Sequence, residues 1–211
     1  MTHRMLLIGA MCLATLALTT CSNEHNPVSP LPPIEIDQFP MTVGSRWLYS
    51  AEDTVQGLID TIEVEIARVD DTSNGQLTTV WHYQSRHNQI GRVTEYVTVL
   101  ADTVYFQGER TRSSHLKLVF PIAGGASWSD LQAVGLYVTE VEAEAPTIVP
   151  AGTFQAFKVR TDVDPKALDI VLGSRVWLAP GVGFVKIEHI FGHRIPEQYQ
   201  IWTLLSYTPA S

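Results

Sequence analysis

Carboxylates spaced two residues apart are the first candidates for chemistry in this chain. Glu63 with Glu65, and Glu140 with Glu142, would each project from one face of an extended strand, where one could act as acid and the other as base. That arrangement keeps a hydrolase with paired carboxylates in a barrel cavity as the alternative reading; such rows are more often a solvated strand face. Histidine offers less. His189 and His193 are four apart and His82 and His87 five apart, but spacing of four aligns two imidazoles only on a helix, and the intervening Ile190, Phe191 and Gly192 read as strand end and turn. No metal ligand set is expected. Asp162 and Asp164 match the opening of a calcium loop whose remaining ligands are missing. No serine sits in a Gly-x-Ser-x-Gly elbow, and no phosphate loop or dinucleotide fingerprint occurs, so no catalytic nucleophile and no cofactor are expected. The balance favours a protein that is not an enzyme.

Five tryptophans are the remaining signal. Trp47, Trp81, Trp128, Trp177 and Trp202, with Tyr49 and Phe157, are candidates for core or for the lining of a cavity. Core packing is the commoner fate of such rings. In a strongly bent sheet, however, inward aromatics surround a space that suits an apolar ligand.

The elements that must position these side chains are strands. Period-two alternation marks residues 61–66, 77–85, 91–100, 103–106, 115–120, 136–144, 154–161, 176–178, 184–190 and 199–207. The clearest turn is Pro180-Gly181, where proline presets φ for the first central position and glycine supplies φ > 0 at the next. Gly183 then suits a bulge that bends the sheet. Only residues 164–172 look helical, with Asp164 as N-cap, Pro165 at the first position and Gly173 as the stop. The pattern predicts an all-β domain, an antiparallel meander of about ten strands forming a barrel or strongly curved sheet with one short helix. A β-sandwich is the alternative.

The two halves of this domain echo each other. Phe39-Pro40, Gly44 and Trp47 recur 81 residues later as Phe120-Pro121, Gly125 and Trp128. Glu63-Val64-Glu65 is echoed by Glu140-Val141-Glu142, Gly75 by Gly152, and residues 100–106 by 178–184. Either a duplication, with pseudo-repeats at 39–119 and 120–207, or two similar half-sheets on one core would produce this order.

The ends give an address. Arg4, an apolar run over residues 5–18 and a small-residue stretch form a signal peptide over residues 1–20. Leu18-Thr19-Thr20-Cys21 is similar to the lipobox of bacterial lipoproteins, which implies cleavage before Cys21 and its lipidation; Thr20 departs from the usual Gly, Ala or Ser. Of the two cysteines, Cys12 would leave with the signal, so the mature chain has no internal disulfide and lipidation accounts for the remaining thiol. Ser22 stands where the enteric sorting rule reads Asp as inner-membrane retention, which by that resemblance points to the outer membrane, on its periplasmic or surface face. Residues 21–38 form a Pro-rich tether, with prolines at 27, 30, 32 and 33, and residues 39–211 a single domain. Fourteen Lys and Arg stand against 22 Asp and Glu, a net charge of −8, which argues against nucleic acid as a partner.

Residues 44–49, Gly-Ser-Arg-Trp-Leu-Tyr, with Pro150-Ala151-Gly152-Thr153-Phe154 and Ala179-Pro180-Gly181-Val182-Gly183, resemble recurrent signatures of uncharacterised bacterial lipoproteins with one β-rich exported domain. These are turn and packing motifs, so the resemblance implies location and fold and transfers no catalytic residue. The expected function is a membrane-tethered, non-catalytic binding or assembly module, with an apolar small molecule or an envelope protein as its partner.

Overall fold

The computed structural model describes residues 31–71, 76–86, 92–108, 114–132, 135–163, 170–193 and 198–211. Their twelve strands are β1 (Arg46–Asp53), β2 (Leu58–Asp71), β3 (Gln76–Ser85), β4 (Val93–Leu100), β5 (Thr103–Gly108), β6 (Ser114–Val119), β7 (Ser127–Gln132), β8 (Gly135–Val149), β9 (Gly152–Val163), β10 (Ile170–Ala179), β11 (Gly183–His193) and β12 (Gln198–Thr208). One sheet holds them all in the order β6-β5-β4-β3-β2-β1-β12-β11-β10-β9-β8-β7. Every pairing is antiparallel and runs between chain neighbours, apart from β1 with β12. The sheet curls into a nearly closed antiparallel barrel, so the barrel expectation holds and the sandwich is set aside.

Alternation gives the curled sheet an inner face. In β1, Trp47, Tyr49 and Ala51 are buried while Leu48 and Ser50 between them are half-buried, as a strand with one face on a core requires. The sheet's two edges, β6 and β7, meet at a seam. There the Trp128 indole donates from Nε1 to the Lys117 carbonyl at 3.0 Å, and Lys117 Nζ lies 3.9 Å from Asp130. Side chains thus cover edges that bare backbone would offer to other chains.

Ten of the strands coincide with the sequence pattern. The other two, β1 and β7, begin two residues after Gly44 and Gly125, at the strand starts that the repeated Gly-x-x-Trp blocks suggest. The helix expected over residues 164–172 is corrected in part: Ile170, Val171 and Leu172 open β10, and residues 164–169 lie outside the described set. Among the described residues the one helical element is a 3-10 turn, Ile36–Gln38. Pro180-Gly181 does reverse the chain, with Gly181 at φ +70°. Trp177 pairs with Lys186 and Leu178 with Phe184, which leaves Val185 as the extra residue of a bulge next to Gly183.

Each half supplies six consecutive strands, and the two starts share a hydrogen-bond pattern. Gly44 donates to the Ile66 carbonyl, Ile66 to Ser45 and Ser45 to Thr42; Gly125 donates to Val141, Val141 to Ala126 and Ala126 to Ala123. Gly44 and Gly125 both take positive φ, +94° and +82°. The register pairs Arg46 with Glu65 and Ser127 with Glu140, so Glu65 is the counterpart of Glu140. The Glu-Val-Glu echo read from sequence is therefore out by two positions. Gly75 lies outside the described residues.

The residues expected to form a signal peptide, Cys21 and residues 22–30 also lie outside them. From Leu31 the chain is already packed, although the prolines mark this stretch as tether. Leu31 donates its N–H to Glu144 at 2.5 Å, Ile34 forms an antiparallel bridge with Ile122, and Gly181 donates to the Gln38 carbonyl at 2.8 Å. This strap ends on Phe39, whose ring lies 6.0 to 6.2 Å from those of Trp81, Phe106, Phe120 and Phe184. The strap and these rings plug one end of the barrel.

Candidate functional site

Above the plug the barrel is hollow. A cavity of about 800 Å3 opens toward the end where β1, β3, β5 and β9 finish and β2, β4, β10 and β12 begin. Asp53, Leu58, Ser85, Val93, Gly108, Val163 and Gln200 mark its upper wall; Trp81, Phe106 and Phe184 form its floor, with Phe39 packed beneath them. Its size falls in the range of small-molecule sites. Ala51, Ile62, Val64, Leu116, Val176 and Ile187 supply apolar wall.

Of the seven aromatics singled out by sequence, Tyr49, Trp81 and Trp202 face this cavity. Trp47 is buried in the plug, stacked on Trp81 at 5.1 Å and Tyr207 at 5.2 Å, with its indole donating to the Val182 carbonyl at 2.7 Å. Phe157 is buried in the core. Trp128 holds the β6/β7 seam. Trp177 points out of the barrel, on the face of β10 opposite Val176, under Lys186 Nζ at 4.4 Å and Lys158 Nζ at 5.7 Å.

The paired carboxylates stay outside the cavity. Glu65 meets Arg46 at 2.9 Å, Glu63 meets Arg86 at 3.8 Å, and Glu142 meets Lys158 at 2.5 Å and Arg160 at 3.7 Å. The hydrogen bond from Lys158 holds the Glu142 carboxyl below its ordinary range against a smaller opposing push from desolvation. None of Glu63, Glu65, Glu140 and Glu142 lines the cavity, so the acid–base pairs suggested by their spacing belong to the outer, charged face. An outer-membrane pore needs an apolar band on that face. Among the described residues, no group of three or more His, Cys, Asp and Glu could hold a metal ion.

Other polar groups do face the interior. Tyr83 donates its hydroxyl to Glu95, and Ser85 donates its hydroxyl to Asp60. These four lie across β2, β3 and β4 on the inner face. Tyr49 donates to the Phe184 carbonyl at 2.7 Å. Burial raises both phenols, and for Tyr83 the neighbouring Glu95 carboxylate adds to it, so both stay protonated donors. Across from them, Trp202 lies 6.0 Å from Tyr49, 6.4 Å from Tyr83 and 5.3 Å from His189, ring centre to ring centre. Glu95 was legible in principle: Val93, Glu95, Val97 and Val99 share one face of a strand, and a charge on an apolar stripe marks a buried polar site. Asp60 and Ser85 carried no such signal.

No family model matches the chain, and no curated protein matches it. Two solved structures share the fold. One, from Parabacteroides distasonis ATCC 8503, is of a protein described as a lipoprotein, with TM-score 0.53 and 16% identity over 84% of this chain and 100% of that one. The other, from Bacteroides fragilis NCTC 9343, is of a protein described as exported and as having a YmcC-like fold, with TM-score 0.50 and 14% identity over 84% of this chain and 100% of that one. At these identities the likeness is one of architecture: the chain is similar to both as a nearly closed antiparallel β-barrel.

Proposed function

We propose that this protein is a lipid-anchored lipoprotein of the outer membrane whose barrel binds a small apolar molecule without catalysing its conversion. The observation that carries the reading is the cavity of about 800 Å3, walled mainly by apolar side chains, plugged at one end and open at the other. A close-packed interior has no void of that size. The anchor rests on the lipobox at residues 18–21 and on the two neighbours, one described as a lipoprotein and the other as exported. The strap, residues 31–39, lies at the plugged end, away from the cavity mouth.

Native mass spectrometry of the Cys21→Ala chain, purified without detergent, tests the binding role. Adducts of lipid-like mass are the expected result. A bare polypeptide mass, also after incubation with apolar candidates, overturns it. The same variant tests the anchor: wild type should fractionate with membranes, and Cys21→Ala should be released by a high-salt wash. Retention of the variant after that wash would assign the tether to something else.

A second reading, docking of an envelope protein at the rim, is favoured by one observation. Val55, Leu58 and Ile59 at the β1–β2 hairpin are exposed at the open end, and Leu131 at the β7–β8 hairpin is 81% exposed on the other half. Bare mass combined with a partner cross-linked through these hairpins would favour it.

A further inference from the structure

The barrel closes at two matching joints, and the two are built differently. At one, the last strand of the second half meets the first strand of the first half, and β1 pairs with β12 along eight residues. At the other, the last strand of the first half, β6, meets the first strand of the second half, β7. These two are the ends of the sheet order, so among the described residues no ladder joins them. The tryptophans at the matching positions show the difference. Trp47 lies in a strand whose backbone is paired with β12, and its indole N–H goes to the Val182 carbonyl in the plug. Trp128, which likewise follows its glycine by three residues, gives its N–H at 3.0 Å to the carbonyl of Lys117 on the facing strand. A side chain thus crosses where the other joint uses backbone.

Local opening of a fold starts where the fewest buried contacts and backbone bonds must break, and in the wall of this barrel that place is the β6/β7 joint. Its lower end is fixed. The segment between the two strands is bound to the strap by the Ile34–Ile122 bridge, at 2.9 and 3.0 Å, and Phe120 donates to the Asp102 carbonyl at 2.8 Å. β6 and β7 can therefore part from the open end downwards, with the apex at the plug. Such a parting reaches the cavity, because Leu116 of β6 and Tyr137 of β8 line it on either side of the joint, and Phe106 and Gly108 of β5 continue the same wall. On the outer face Leu131 of β7 is paired with Leu136 of β8, and both are exposed, as is Val138. A hydrocarbon crossing here passes from one apolar surface to another, which lowers the cost of the chain's contact with water on the way in.

We infer that the β6/β7 joint is a lateral gate through which the apolar ligand enters and leaves the cavity, with Trp128 as its latch. The inference rests on the binding role proposed above and adds the route. The gate sets how fast the ligand exchanges and not how tightly it is held, because the joint is closed in the empty and in the filled barrel alike. Lys117 and Asp130, 3.9 Å apart across the joint, add a contact that salt screens.

The test uses N-phenyl-1-naphthylamine, a neutral apolar fluorophore, mixed by stopped flow with the Cys21→Ala chain carrying Cys12→Ser as well, so that no other thiol remains. Lys117→Cys and Asp130→Cys are added and, once the chain is folded, bridged by a bis-maleimide with a reducible spacer; the unbridged double-cysteine chain is the baseline. Bridging should slow association and dissociation at least about tenfold and leave the affinity within about twofold, and reducing the spacer should restore both rates. The same bridge between Arg46→Cys and Thr208→Cys, exposed partners across the β1/β12 joint, should leave both rates within about twofold of their own baseline. Trp128→Phe keeps a ring at the joint and removes the donor, so both rates should rise about threefold. Rates that ignore the β6/β7 bridge overturn the gate and assign entry to the mouth, while the binding role stands. Rates that fall as far with the β1/β12 bridge, or that do not rise in Trp128→Phe, also overturn it, since the joint is then no easier to open than the rest of the wall. If the unbridged chain does not bind the probe at all, the binding role falls and the gate with it.

Discussion

Trp47→Ala should lower the unfolding free energy by about 3 to 5 kcal/mol, the range for deleting a large aromatic from a core that relaxes only in part. Trp47 is 2% exposed, stacks on Trp81 and Tyr207, and ties β1 to the β10–β11 turn through its bond to the Val182 carbonyl. The repeat alone suggests that Trp128→Ala should cost as much. The structure separates them, because Trp128 is half-buried at the β6/β7 seam and packs against the core from its margin. Its truncation should cost about half, in the range for a partly buried side chain. Both variants should unfold in one cooperative transition, since β1 pairs with β12 along eight residues and joins the halves into one sheet. Urea titration followed by far-UV circular dichroism measures both quantities. Two resolved transitions would mean independent halves, and equal losses would mean that the seam is packed as tightly as the plug.

Phe39→Ala should cost a similar amount, about 3 to 5 kcal/mol, for a different reason. Its ring is 4% exposed and touches four others, three of which form the cavity floor. Removing it leaves a void beneath that floor and frees the strap from its main anchor. Local opening follows from loss of buried apolar contact, so limited proteolysis should cut within residues 31–38 of the variant well before it cuts wild type. A loss under about 1 kcal/mol with an uncut strap would show that the floor supports itself without the strap.

Most of the strands were legible because a half-buried strand must alternate, and that constraint is local. β7 was marked only by its Gly-x-x-Trp start, because Ser127–Gln132 is a short polar edge strand whose residues alternate only between exposed and half-buried, leaving little apolar contrast to read. β1 was marked chiefly by its Trp and the glycine before it. The start of β10 was misread for a related reason: Asp164, Pro165 and Gly173 are valid helix punctuation, yet Ile170, Val171 and Leu172 are held by pairing with β11, a contact the local sequence does not contain. The strap is the clearest case. Prolines at 30, 32 and 33 argue for an extended segment, and it is extended, but whether such a segment floats or packs depends on a surface built by residues some ninety positions later, such as Ile122.

By itself the sequence determined the class of the fold, the Pro-Gly reversal and bulge, and the two Gly-x-x-Trp strand starts, all of which depend on residues close together in the chain. It could not decide which aromatics face a void and which fill one, because Trp47 and Trp202 look alike until β1, β3, β11 and β12 are placed around a common axis. Nor could it pair Tyr83 with Glu95 or Ser85 with Asp60, whose partnerships arise from register between neighbouring strands. Closure of the barrel decided both. A sheet twists and coils by an amount set by all its strands together, and only that shared curvature leaves about 800 Å3 of unfilled space above the plug.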